Sequence, residues 1–348
     1  MQERITATLD RFRRLPKVEL HRHLEGTLRL NTLLDIARQH NITIPADIIG
    51  LSSLVQMQED ENFSFRTFLG KFDTLRLFYR SPEVINRITR EAVEDAAKDN
   101  VRYMELRFTP VALSRAERFP LNEVMDWVVA ASQTAAVEFG MVVRLIPSVN
   151  RHEGTELAEQ VVWLAAERKD SGVVGVDLAG NEAEFPAAPF YGVFREARQA
   201  GLHLTVHAGE WGPAGNVREA IEDLGAERIA HGVRVLEDDS VIALARERFV
   251  PFEVCVTSNY QSGVVPEPGS HPLPQMLKAG LNVTINTDDP SVSRITLSNE
   301  YHVVCDELGV GADALHSCIL AAGEAAFLPE PERMDLVKGL RKDIPRAG

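Results

Sequence analysis

The chain has 348 residues, 45% hydrophobic and 25% charged, a globular composition long enough for two domains or one large α/β barrel with insertions. Acidic residues outnumber basic ones 51 to 37, a formal charge of −14 that repels phosphate backbones and argues against a nucleic-acid partner. No apolar run suits a membrane span or a secretory signal, and the dispersed Cys255, Cys305 and Cys318 exclude a disulfide scaffold or a Cys-x-x-Cys site, so a cytoplasmic protein without membrane contacts is expected.

Eight short runs have strand character: 17–24, 101–109, 141–149, 173–179, 203–208, 228–233, 250–257 and 282–287. After the first they recur every 25 to 40 residues or so, room for one strand and one helix. Segments such as 153–169 and 214–225 carry helix-type apolar spacing. Strand–helix alternation predicts a parallel sheet, and eight units predict an α/β fold of the (β/α)8 TIM barrel type. An open doubly wound sheet is the alternative, but no Gly-x-Gly-x-x-Gly turn follows the first strand. The whole of 1–348 reads as one barrel domain with a long insertion at about 25–100, after strand one. The insertion reads as helices over 30–40, 63–79 and 83–98, which would cover the C-terminal face of the barrel as a wall or lid.

Side-chain alternation gives the first chemical clue. In 18–25, Val18, Leu20 and Leu24 face one way, and Glu19, His21, His23 and Glu25 the other. In 202–209, His203, Thr205 and His207 alternate with Leu202, Leu204 and Val206; in 282–288, Asn282, Thr284, Asn286 and Asp288 alternate with apolar residues. A parallel barrel strand buried on both faces is normally almost all apolar. Three polar faces buried without partners would cost a few kcal/mol per group, and a metal ion at the barrel mouth compensates them economically. His21 and His23 on one strand, His207 on the fifth and Asp288 after the eighth are the candidate ligands. Three imidazoles and a carboxylate suit one Zn²⁺ per chain. Strands one and eight are neighbours in a closed barrel, which lets residues distant in sequence share one ion.

Hydrolysis at such a metal needs a proton shuttle. Glu210 follows His207 by three residues, His231 ends strand six, and Asp289 adjoins Asp288. Each also has a plainer reading: a solvated or helix-start carboxylate for Glu210, a core histidine for His231, an Asp-Pro turn for Asp289.

The motifs LPKVELHRHLEGT, VDLAGNE, TVHAGE, RIAHGV, CVTSNYQSG and INTDDP resemble, in order and over about 15 to 330, the adenosine deaminase family. The resemblance implies a (β/α)8 barrel with one zinc ion and hydrolytic removal of the 6-amino group from a purine. It implies that His21, His23, His207 and Asp288 hold the zinc and that Glu210 protonates purine N1. It implies further that His231 orients and helps deprotonate the attacking water, that Asp289 bonds N7, and that the Gly180 amide meets N3. In the insertion, FRTFLGKF resembles the family's substrate-covering helix, with Phe65, Phe68, Leu69 and Phe72 on one stripe, although packing onto the barrel would explain the same stripe. One position departs from the family pattern. Glu25 in HLEG replaces the usual aspartate expected to meet the ribose 5′-hydroxyl. The reading favours adenosine and 2′-deoxyadenosine; adenine or a 5′-modified adenine nucleoside such as aminofutalosine is the alternative. Ring-amide or phosphoester hydrolysis at two bridged metals is disfavoured because VVGVDLAG contains no lysine. A non-catalytic nucleoside-binding protein on this fold would be expected to lack one of these residues. Nothing in the sequence fixes the oligomeric state.

Overall fold

A computed structural model describes residues 9–345. Eight parallel strands follow one another around a barrel in chain order: β1 (Lys17–His23), β2 (Val101–Phe108), β3 (Val142–Asn150), β4 (Gly175–Ala179), β5 (His203–Ala208), β6 (Arg228–His231), β7 (Pro251–Val254) and β8 (Asn282–Ile285). Each pairs with the next in parallel, from β1–β2 to β7–β8. The ring closes between the end of β8 and β1. The Leu20 N–H donates to Asn286 Oδ1 (2.8 Å), the Asp288 N–H to the His21 carbonyl (3.0 Å), and the His23 N–H to the Asp288 carbonyl (2.8 Å). The seam therefore runs through three of the candidate metal ligands.

Apolar strand residues such as Val18, Leu204, Val206, Phe252 and Val254 are fully buried under the surrounding helices. The insertion after β1 holds four α-helices: α1 (Leu30–His40), α2 (Ile48–Val55), α3 (Phe65–Leu75) and α4 (Pro82–Lys98). The starts of the last three are set by side-chain caps: Asp47 accepts from the Gly50 N–H, Ser64 from Thr67 and Ser81 from Val84, the last with Pro82 in the first turn. Helix α1 stops at Asn41 in the left-handed region (φ 53°).

The structure departs from the sequence reading in four places. Helix α2 was not expected; its IIGLSSLV sequence holds a glycine and two serines and shows no clear stripe. The segment 63–79 is helical only over Phe65–Leu75, then tightens to a 3₁₀ turn at Arg76–Phe78. The helix at 214–225 runs only to Glu219 before a π-turn over Ala220–Leu224. Strand β1 is irregular between Glu19 and Arg22, which breaks the alternation inferred from sequence. Glu19 does not share the face of His21. It bonds the Thr287 N–H (2.8 Å) and hydroxyl and lies 3.8 Å from Arg22, three residues on. One extra residue in a strand moves everything before it to the opposite face. No helix among the described residues is long and apolar enough to cross a membrane.

Candidate metal and catalytic site

Four side chains meet at the C-terminal mouth of the barrel. His21 Nε2 lies 3.2 Å from His23 Nε2 and 3.0 Å from Asp288 Oδ1; His23 Nε2 lies 3.4 Å from the same oxygen. The His207 ring sits 4.8 Å from that of His21 and 5.3 Å from that of His23, centroid to centroid. Bonds of about 2.0–2.1 Å to one ion bring ligand atoms to roughly 3 Å of one another, which the separations among His21, His23 and Asp288 match. Asp288 reaches inward from a left-handed backbone (φ 64°), a conformation that costs a non-glycine residue energy and is tolerated where the surroundings fix it.

The far sides of two of the three rings are tied down. His21 Nδ1 donates to Glu253 Oε2 (3.1 Å) and His207 Nδ1 to Asp177 Oδ1 (3.0 Å). These bonds put the ring protons on Nδ1 and turn the Nε2 lone pairs towards the centre, the arrangement a metal ligand needs. Arg107 on β2, fully buried, joins both carboxylates: it bonds Glu253 and lies 3.3 Å from Asp177. Arg228 Nε forms an ion pair with Glu253, 2.6 Å from Oε1. Burial works to raise the Glu253 carboxyl, but Arg107 and Arg228 hold it well below the usual range. Asp177 is likewise held low against its burial by His207 and Arg107. Asp288 is held low by the His21 bond, again against burial, and its other oxygen accepts from Ser258 Oγ (2.6 Å). Burial lowers His23 to about 3, so that ring is neutral. A neutral His23 beside an ionised Asp288 suits a divalent cation, while the bonds to Asp288 and Glu253 raise His21 against burial and Arg107, so a cation there would compete with a proton.

Beside this cluster opens a cleft of about 710 Å³, counting space open to solvent, with Phe68, Leu69, Phe72, Asn150, Gly180 and Trp211 among its lining residues. Glu210 lies in it, buried, its carboxyl pushed well above the usual range by burial and by the charges of Asp288 and Glu182. These surroundings favour its protonated form. Asp289 is also raised well above its usual range, by burial and by Asp288, Glu25 and Glu210. Its Oδ1 has no partner, and Gly26 leaves it room, since a β-carbon there would lie 1.9 Å from that oxygen.

His231 lies with Nε2 3.7 Å from Glu210 and 4.0 Å from Asp288. Its tautomer follows from a chain of bonds. The Leu273 N–H donates to His271 Nδ1 (3.1 Å), so His271 Nε2 carries a proton and donates to Asn259 Oδ1 (3.2 Å). That orients the Asn259 amide nitrogen to donate to His231 Nδ1 (3.1 Å). Burial keeps His231 neutral, lowering it well below its usual range. The remaining proton therefore sits on Nε2, facing the centre. In that tautomer His231 would present an N–H to the centre of the site, where it could orient an oxygen.

The structure thus brings together His21, His23, His207, Asp288, Glu210, His231, Asp289, Gly180, Glu25, Phe68, Leu69 and Phe72 around one cleft. Phe65 is apart: it leaves the lining and packs on Trp211, rings 5.6 Å apart. Glu25 accepts the Thr109 N–H with one oxygen (2.5 Å), while the other has no partner. Sequence reasoning missed Asp177, Glu253, Arg107, Asn259, Glu182 and Arg76. Asp177 and Glu253 carried a signal, a carboxylate inside an otherwise apolar strand; Asp177, Glu182 and Asn259 also lie within the motifs VDLAGNE and CVTSNYQSG, and Arg76 carried none.

An eight-stranded parallel barrel with buried imidazoles and carboxylates at the C-terminal ends of its strands defines a metal-dependent hydrolase architecture. Comparison with known proteins narrows this. Residues 16–343 match the adenosine deaminase family model, and the chain belongs to that family. It is 36% identical over 330 residues to an adenosine deaminase of Klebsiella pneumoniae, covering 94% of this chain and 98% of that one. Among solved structures it is similar to an adenine deaminase from Arthrobacter aurescens (TM-score 0.87, 27% identity, 94% and 98% of the two chains). It is also similar to an amidohydrolase from Burkholderia ambifaria with bound Zn (TM-score 0.85, 28% identity, 96% and 94%).

Proposed function

We propose that the chain catalyses the hydrolytic deamination of adenosine, and of 2′-deoxyadenosine, to the 6-oxo nucleoside and ammonia, with one zinc ion held by His21, His23, His207 and Asp288. The observation that carries the reading is a buried Glu210, in surroundings that favour its acid form, beside that ligand set in one cleft. Bound there, zinc supplies the Lewis acidity that makes water nucleophilic near neutral pH.

The chain's own residues do the rest. Attack at C6 breaks the aromaticity of the ring and needs simultaneous protonation of a ring nitrogen. Glu210 gives its proton to N1, which the product keeps as N1–H. His231 donates from Nε2 to orient the attacking oxygen. Asp289, protonated, donates to N7, and the Gly180 amide meets N3. The C6–O bond forms and the C6–N bond breaks; of the two protons of water, one leaves with the amine as ammonia and the other returns to Glu210, which regains its acid form. Phe68, Leu69 and Phe72 cover the ring and exclude bulk water, while the free oxygen of Glu25 meets a sugar hydroxyl.

A second reading rests on Arg76. It lines the cleft near Glu25 and bonds only the exposed Asp73, at 3.4 Å. A guanidinium with spare donors there suits an adenine nucleoside carrying an anionic 5′ substituent. Comparing kcat/KM for adenosine, 2′-deoxyadenosine, adenine and a 5′-anionic adenosine decides between them. Adenosine in first place supports the main reading; a marked preference for the 5′-anionic compound supports the second, and turnover of none defeats both.

A further inference from the structure

We propose that Glu182, two residues past Gly180, is a positioning residue that locks together the two cleft walls between which the purine ring would lie. The proposal rests on the deaminase reading and adds to it a residue that touches neither substrate nor metal.

The Glu182 carboxylate is buried and saturated. Its Oε1 accepts the N–H groups of Glu210 (2.6 Å) and Trp211 (2.8 Å); its Oε2 accepts the Gly209 N–H (3.0 Å) and the Asn216 amide (2.9 Å). Three consecutive backbone donors of the loop after β5 thus converge on one side chain from the loop after β4. Four donors on two oxygens fill the acceptor capacity of a carboxylate. The first loop carries Glu210; the second carries Gly180, and the proposed function uses both. Titratable groups near Glu182 are Arg151, just past the end of β3, and Glu210 itself. The site has no slack: a β-carbon on Gly212 would lie 2.8 Å from Glu182 Oε2 and 2.1 Å from the Asn216 amide nitrogen.

A glutamine at 182 keeps the shape but not the bonding. Its amide nitrogen would face backbone N–H groups, donor against donor, and one edge of the loop would be released. Misplacing a proton donor by about 1 Å costs on the order of 10²-fold in rate. The test measures Glu182→Gln, Glu210→Gln and the double variant in the zinc-loaded enzyme with adenosine. The expected result is a kcat about 10²-fold lower for Glu182→Gln, KM within about 3-fold, and unchanged metal content. The double variant should be no slower than Glu210→Gln alone, because Glu182 acts through Glu210. Hydrogen exchange over 209–211 should quicken at least about 10-fold, with β5 itself unchanged. Gly212→Ala, which displaces Glu182 and Asn216 without removing a charge, should give a smaller loss of the same kind and stands in if Glu182→Gln does not fold.

A kcat within about 3-fold of wild type, or losses that multiply in the double variant, overturns the proposal. If the wild-type chain turns over no purine, the deaminase reading has failed instead. Exchange over 209–211 then decides alone, and unchanged protection in Glu182→Gln overturns the clamp.

Discussion

At the metal end of the cleft, His21 and His207 each give one ring nitrogen to a buried carboxylate, and Arg107 ties those carboxylates together. At the other end, Glu25 has one oxygen on the Thr109 amide and one without a partner, and Arg76 touches only Asp73. The first set stands on strands β1, β2, β4, β5 and β7, the second on the turn after β1 and the helical insertion. Atoms that must keep their places to within tenths of an ångström are set on the barrel, where each is held from several sides. The groups proposed to choose among substrates stand on an added segment outside the ring of strands.

Four substitutions probe this contrast, the most damaging first. Asp288→Ala removes a candidate ligand and a seam residue; it should abolish stoichiometric metal binding and lower kcat by at least about 10⁴-fold, as metal analysis and steady-state kinetics would show. Glu210→Gln should keep the metal and lower kcat by about 10²–10⁴-fold; a near-normal rate would remove Glu210 from the proton-donor role. The pH profile gives the sign of the same claim. The carboxyl of Glu210 is raised above its usual range, so the active protonated form is complete at low pH and is lost as pH rises through the raised value. The wild-type profile of kcat should therefore fall on its alkaline side. Asp177→Asn should weaken metal binding about 10–100-fold in chelator competition, because His207 loses its orienting carboxylate. Glu25→Asp should leave metal affinity and melting temperature unchanged and shift the ratio of nucleoside to free-base turnover by only about 10-fold. An effect of Glu25→Asp on the metal as large as that of Asp177→Asn would erase the contrast between the two ends.

The sequence reading went furthest where chemistry leaves a periodic mark. His-x-His within β1 and the polar faces of β5 and β8 stand out because strands buried on both sides are otherwise apolar. The eight strands were legible for the same reason, each to within a few residues. Face assignment failed at Glu19 because a bulge has no local signature; it depends on how β1 pairs with β2. Arg107 was invisible because its meaning lies in two carboxylates 70 and 146 residues away. The tautomer of His231 depends on Asn259 and His271, neither of which lies near it in sequence. Phe65 shares a helical stripe with Phe68 and Phe72, yet Trp211 draws it out of the lining. Periodicity names a face but not which part of that face meets a neighbour.

Everything proposed about reactivity depends on one divalent ion bound by His21, His23, His207 and Asp288. The direct measurement strips the protein by exhaustive chelation, verifies the metal content, assays adenosine turnover, and titrates zinc back. Activity should disappear with the metal and return in proportion up to one ion per chain. Full turnover by verified metal-free protein would contradict the account.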